Sequence, residues 1–146
     1  MNETVTFTFD FSSEFTTDPP QFYITHNDIM VYDVTTVPHH TVAEVKISLP
    51  TDAFKECALK VHRTGFDGMN EQLFKINKVA IDGINLQRVL CKSKFYPEYP
   101  EPWITEQREE GHQWPEYHRG WLNLGWNGVW MLEYRTPVYT WLLENV

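Results

Sequence analysis

The stretch TVTFTFDF, Thr4–Phe11, alternates strictly between polar and apolar side chains. Its apolar members all occupy every second position: Val5, Phe7, Phe9 and Phe11. Successive side chains of a β-strand point to opposite faces of its sheet, so a strand with one buried face has this pattern. The segment therefore predicts an amphipathic strand near the N-terminal end of the chain.

Further runs have the same composition and period. Aromatic residues make up 15% of the 146 residues, and they occur with Val, Ile and Thr, as is typical of strands. Alternating runs are TVAEVKISL (41–49), CALKVHRT (57–64) and LFKINKVAI (73–81). We also predict a strand over INLQRVL (84–90). These runs place most of the chain in β-structure.

Short polar segments between the runs predict hairpins. His26-Asn27 and Asp82-Gly83 each separate two β-rich runs, and Asn and Asp-Gly tolerate the positive φ that a tight hairpin turn requires. A third hairpin is predicted around GWNG (125–128). The segment PVYTWLLEN (137–145) is the exception, because its proline start and its apolar spacing of three and four residues predict a short helix.

Seven or eight short strands with frequent turns predict an all-β fold, a two-sheet antiparallel β-sandwich of jelly-roll or immunoglobulin-like type with one short C-terminal helix. A closed barrel is the structural alternative. A true immunoglobulin domain is excluded because the Cys-Trp-Cys spacing is missing. The sandwich is predicted to be a single domain over residues 1–146.

The formal net charge of −8 is concentrated in the first third of the chain. No Lys or Arg precedes Lys46, whereas seven acidic residues do. Such a surface repels phosphate backbones and predicts no binding to nucleic acid. It either keeps the protein solvated or docks onto a basic partner. No apolar run predicts membrane insertion, and the N-terminal residues do not have the pattern of a signal peptide.

The segment from Cys91 to Arg119 has no sustained period and is rich in proline and aromatic residues. Prolines restrict the backbone to extended conformations, so aromatic rings between them lose little entropy on binding. We predict an ordered loop with a binding site. Its residues, together with one at the tip of the GWNG turn, are Tyr96, Tyr99, Glu101, Trp103, Trp114 and Trp126. The rings could contact another protein or stack on sugars. Alternatively, they pack as a lid on the sandwich.

Metal and catalytic patterns are weak. His39-His40, His112 with His118, and the Asp67–Asn70 turn do not have the ligand spacing of zinc or calcium sites, so we predict no metal and no cofactor. A calcium ion that bridges distant loops remains an alternative. No nucleophile motif is present, and the glutamates of the aromatic segment could form a glycosidase pair only if the fold brings them together. We predict that the protein is not an enzyme.

Three runs carry a resemblance to a known group of proteins: FKINKVAIDGINL (74–86), YPEYPEPW (96–103) and LGWNGVWMLEYRTPVYTWLLEN (124–145). The chain resembles small uncharacterised β-sandwich proteins of tailed phages and marine viruses, whose strand layout is similar to that of jelly-roll carbohydrate-binding modules. The resemblance implies a non-enzymatic virion component, a capsid decoration or a tail or baseplate module. It also implies multimeric contact with other virion proteins after assembly in the host cytoplasm. The alternative is a carbohydrate-binding module that recognises host surface glycan.

Overall fold

A computed structural model describes residues 1–145 and shows two antiparallel sheets that pack face to face. The strands are β1 (Asn2–Phe15), β2 (Gln21–His26), β3 (Ile29–Thr36), β4 (His40–Pro50), β5 (Lys55–Thr64), β6 (Gln72–Ile81), β7 (Ile84–Asn85), β8 (Lys94–Pro97), β9 (His118–Arg119) and β10 (Gly128–Thr136). The first sheet has the order β4-β1-β6-β7 and the second β3-β2-β5-β10-β8-β9. The predicted two-sheet sandwich is confirmed.

The apolar face of β1 forms the centre of the core. Phe7, Phe9 and Phe11 are all 0% exposed. The ring of Phe9 packs in an edge-to-face arrangement on the ring of Trp130, which belongs to the opposite sheet, with 5.9 Å between the ring centroids. Each buried phenylalanine contributes about 1.5–3 kcal/mol of hydrophobic stabilisation. The polar face of β1 lies on the outer surface of the first sheet, as the alternation predicts.

Two of the three predicted hairpins form. Asn27 and Asp28 have φ values of 50° and 68° between β2 and β3, and Asp82 and Gly83 have 47° and 82° between β6 and β7. Positive φ at both central residues is the geometry of the turn that matches the twist of two paired strands. The first turn therefore lies one residue later than predicted, at Asn27-Asp28.

One strand prediction and one hairpin prediction are wrong. The run 84–90 is a strand only at Ile84–Asn85, and a 3-10 turn at Val89–Lys92 replaces the rest because it buries Val89 and Leu90. The predicted hairpin around 125–128 does not form. Instead, residues 122–124 run along β6, where the amide of Ile76 donates to the carbonyl of Leu122 over 2.8 Å. Burial of Leu124 against the first sheet favours this path over a local hairpin.

Two α-helices complete the fold. The predicted C-terminal helix is confirmed as α2 (Val138–Asn145), which buries Trp141 and Leu142. A second helix, α1 (Trp103–Glu109), was not predicted. The prolines indicated extended backbone through Trp103, but Pro102 lies at the start of α1, where a proline is compatible with the first helical turn. Neither helix, nor any other within residues 1–145, is long and apolar enough to cross a bilayer.

A buried arginine links the two sheets. Arg63 on β5 is 1% exposed. Its Nη1 donates to the carbonyl of Leu124 at 2.5 Å, and its Nη2 donates to the carbonyl and the side-chain oxygen of Gln72 at 3.2 and 3.1 Å. Burial lowers the pKa of Arg63 to about 10, so the group stays charged at neutral pH. The charge is held by carbonyl oxygens and by the Phe66 ring, 5.1 Å away.

The buried side chain of His26 makes the free energy of unfolding depend on pH. His26 is 8% exposed and is hydrogen-bonded through Nε2 to the Tyr134 hydroxyl at 2.6 Å. Burial, assisted by the charge of Lys55, lowers the pKa of His26 below its ordinary 6.5. The unfolded chain therefore takes up this proton at a higher pH than the folded protein does, and the free energy of unfolding falls as pH falls below about 6.5.

We expect the melting temperature to decrease from about pH 7.5 to about pH 5.5, a window above the titration of ordinary carboxylates. Calorimetry across this range measures the effect. The His26→Gln variant, whose side chain does not titrate, should show a shallower decrease. Parallel curves for the two proteins would contradict the assignment to His26.

Candidate functional site

Four aromatic rings from separate parts of the chain meet where β8 ends and β10 begins. We call them the aromatic cluster: Tyr99, Trp103, Trp114 and Trp126. The centroids of Trp103 and Trp114 are 5.0 Å apart, those of Tyr99 and Trp126 are 5.2 Å apart, and those of Trp103 and Trp126 are 5.9 Å apart. Each of the four side chains is half-buried. Trp126 also packs against the hydrophobic core, so the cluster rests on the sandwich and leaves part of each ring accessible.

A close backbone approach positions the cluster. β8 and β10 pair with Gly128 opposite Pro97. A Cβ atom on Gly128 would overlap the carbonyl oxygen of Tyr96 and would lie 2.9 Å from the Cα atom of Pro97. Only glycine permits this approach. Because Tyr99 follows β8 and Trp126 precedes β10, this pairing brings the two rings together.

Hydrogen bonds fix the orientation of Tyr99. Its hydroxyl donates to the carbonyl of Pro115 at 2.5 Å and lies 3.0 Å from Nε2 of His118. A tyrosine hydroxyl has one proton, so His118 donates from Nε2 and its Nδ1 is left as an acceptor. Burial lowers the pKa of His118 and favours this neutral form. The imidazole also stacks on Trp121 at 3.9 Å, and Trp121 is 43% exposed.

A cleft of about 420 Å³ adjoins the cluster. It lies between the end of α1 and the loop that follows, and its lining residues are Arg108, Gly111, His112, Gln113 and Trp114. The Trp114 indole donates to the side-chain oxygen of Gln107 over 3.3 Å. A guanidinium, an imidazole and an amide therefore line the same cleft as one indole ring. This combination suits a ligand with both apolar faces and hydrogen-bonding groups.

The structure brings together four of the six predicted site residues. Tyr96 lies apart from them, because its ring packs on Tyr117 at 5.4 Å. Glu101 is exposed and accepts a hydrogen bond from the Thr105 hydroxyl at 2.5 Å, so it supports the first turn of α1. The sequence analysis missed His118 and Trp121 as members of the site. The aromatic-rich run 117–121 was the available signal.

The histidines considered as metal ligands have other partners. His40 pairs with Asp10 at 2.7 Å, and His39 stacks on Phe15. The Asp67 carboxylate accepts the backbone amides of Met69 and Asn70, which lowers its pKa. Within residues 1–145, no three His, Cys, Asp or Glu side chains are grouped so that they could hold a metal ion.

Solved structures of a carbohydrate-binding module, vCBM60, have a similar fold. One is vCBM60 in complex with galactobiose, which aligns with a TM-score of 0.50 and 12% identity over 87% of this chain and 96% of its own. The chain is similar in fold to vCBM60. The SeMet form of vCBM60 aligns with a TM-score of 0.51 and 12% identity over 88% of this chain and 89% of its own. No protein family and no curated relative matches the sequence.

The second vCBM60 structure is described together with a circular permutation that links two families of calcium-dependent carbohydrate-binding modules. Residues 1–145 do not fit a calcium site built from several carboxylates. The described residues contain no such group, and both carboxylate oxygens of Asp67 are already hydrogen-bonded. The similarity to vCBM60 therefore shows the sandwich fold alone.

Proposed function

We propose that the protein is a non-catalytic carbohydrate-binding module that holds its glycan on the aromatic cluster. The observation that carries the proposal is the meeting of four half-buried aromatic rings beside a cleft lined with hydrogen-bonding side chains. A sugar ring has an apolar C–H face and a polar rim. Aromatic rings bury the face, and a few placed polar groups bind the rim.

The cluster is preorganised for this role. Each ring contacts the three others of the cluster, and hydrogen bonds hold Tyr99 and Trp114. Little side-chain entropy is lost on binding to rings that are already ordered. Arg108 and Gln113 offer donors from the adjoining cleft, and His118 offers an acceptor at Nδ1. Both kinds of group are needed because a sugar hydroxyl donates and accepts.

The fold supports the glycan proposal over the virion one. The similar structures are carbohydrate-binding modules, and one of them contains galactobiose. The virion setting, the virion protein partners, the multimeric assembly and the cytoplasmic assembly site stay predictions. The single-domain organisation also stays a prediction.

We expect Trp103→Ala to weaken glycan binding about 30-fold, since an aromatic side chain at the centre of a contact is worth about 2 kcal/mol. A glycan array identifies the best ligand, and titration calorimetry measures the affinity. Trp103→Phe should retain most of the binding. Phe54→Ala serves as a matched control, because Phe54 is a 68% exposed aromatic residue that contacts Arg135 and is not part of the cluster.

The titration is repeated with EDTA, and we expect the same affinity because the described residues do not group carboxylates for calcium. An array on which the wild-type protein binds no glycan would overturn the proposed function. Equal affinities for Trp103→Ala and Phe54→Ala would place any binding elsewhere on the surface.

A further inference from the structure

A second cleft, of about 500 Å³, lies on the outer face of the first sheet. One wall belongs to the segment of residues 122–126, which we call the strap. The residues that line the cleft include Ser12, Glu14, Leu73, Lys75, Asn123 and Gly125. Its volume falls within the range of about 300–1,000 Å³ that is usual for ligand sites.

The register of the strands explains why these side chains converge. Ser12 lies opposite Lys75 and Glu14 opposite Leu73 in the pairing of β1 with β6. Lys75 in turn lies opposite Asn123 of the strap. Paired residues of neighbouring strands direct their side chains to the same face. The outward face here therefore combines a hydroxyl, a carboxylate, an ammonium group and an amide.

Three polar side chains of the cleft are available for a ligand, whereas the Ser12 hydroxyl already donates to the side-chain oxygen of Asn77 at 3.3 Å. Among the described residues, the side chains of Glu14, Lys75 and Asn123 have no hydrogen-bond or ion-pair partner, and all three are exposed. Leu73 is 49% exposed and supplies an apolar surface between them. Free donors, free acceptors and an apolar patch match the faces and rims of sugar rings, as they do in the aromatic cluster.

The strap joins the two sites. Asn123 and Gly125 line the cleft, and the next residue, Trp126, contributes its ring to the aromatic cluster. The buried Leu124 anchors the strap between them, because its carbonyl accepts from Arg63 and its amide donates to the carbonyl of Phe74. The two sites are therefore adjacent and fixed relative to each other.

The charges of the cleft limit the kind of sugar. Glu14 and Lys75 carry opposite charges and lie diagonally across the β1–β6 pairing. For an anionic ligand, attraction to Lys75 would therefore be largely offset by repulsion from Glu14. We propose that this cleft is a second saccharide subsite, and that the ligand is a neutral oligosaccharide that extends over the strap from the aromatic cluster. This inference rests on the proposed function.

The experiment measures how the affinity depends on the length of the oligosaccharide. Calorimetric titrations use a disaccharide and a hexasaccharide from each of four neutral series, with galactose, glucose, xylose or mannose units. For the wild-type protein we expect the hexasaccharide of the preferred series to bind about tenfold more tightly than the disaccharide, since hydrogen bonds to charged groups in the second subsite add to the affinity.

Two variants test the cleft without touching the cluster. Gly125→Leu should block the rim with a large side chain, and its Cβ atom would meet no atom of the protein within 4 Å. Lys75→Ala removes a free donor. Both should reduce the ratio of hexasaccharide to disaccharide affinity to about one and leave the disaccharide affinity unchanged. Lys46→Ala is the matched control, because Lys46 is exposed on β4 of the same sheet and does not line the cleft.

The outcomes separate the two proposals. Disaccharide binding with no gain for the hexasaccharide, or a gain that survives in both cleft variants, would overturn the second subsite and leave the proposed function intact. Absence of binding to every saccharide would overturn both. A stronger gain for a hexasaccharide of uronic acid units than for the neutral ones would also overturn the assignment of a neutral ligand.

Discussion

Gly128→Ala is expected to reduce the free energy of unfolding by about 3 kcal/mol. The new methyl group would overlap the backbone of Tyr96 and press on Pro97. Neither obstacle is a flexible side chain, so relief requires β8 to move away from β10. Such a movement breaks the pairing that holds the aromatic cluster. A loss of this size is a large part of the total stability of a domain, about 5–15 kcal/mol.

The matched control is Gly125→Ala, three residues earlier in the chain. A Cβ atom at this position meets no atom within 4 Å, so the free energy of unfolding should change by less than about 0.5 kcal/mol. Urea denaturation of the two variants beside the wild-type protein measures the difference. Coincident midpoints for Gly128→Ala and Gly125→Ala would show that the β8–β10 approach is looser than described.

Arg63→Ala is expected to cost about 4 kcal/mol, the largest loss in stability that we predict. The substitution leaves the carbonyls of Leu124 and Gln72 buried without their donor, and each unsatisfied group costs about 1–3 kcal/mol. It also leaves a cavity between the sheets. Removal of a charge that burial disfavours offsets part of this cost, as the lowered pKa of Arg63 indicates.

Arg63→Met separates these contributions. Methionine fills most of the volume and removes the charge but donates no hydrogen bond, so we expect a loss of about 2 kcal/mol. Because Arg63 holds the strap through Leu124, amide hydrogen exchange of Leu124 should accelerate in both variants. Stability equal to that of the wild-type protein in Arg63→Met would show that the hydrogen bonds to the carbonyls contribute nothing.

The parts of the fold that depend on local pattern were predictable. Phe7 and Phe9 alternate with threonines and lie in the core, and the Asp82-Gly83 turn forms where its residues predict it. In both cases the side chains and the backbone preferences within a few residues determine the result. The sandwich was predicted from such strands and turns, and α2 was predicted from its proline start and its apolar spacing.

The remaining features depend on distant partners. Residues 122–124 pair with β6 because Leu124 finds an apolar site there, and no local pattern identifies that partner. The start of α1 directly after Pro102 was not predicted, since a proline suits both an extended segment and the beginning of a helix. Four of the predicted binding residues converge, but His118 and Trp121 enter the site only through the path of the loop. Arg63 gives no sign in the sequence that it is buried.

The central position of β1 has a consequence for synthesis of the protein. Phe9 lies opposite Ala43 on one side and Val79 on the other. About 70 residues must therefore follow Phe9 off the ribosome before the first sheet can close, which takes about 4 to 14 s at the usual rates of translation. During that interval a phenylalanine-rich strand has no partner on one edge. The edge of β1 that later pairs with β6 is therefore open to pairing with other chains until synthesis has passed Val79.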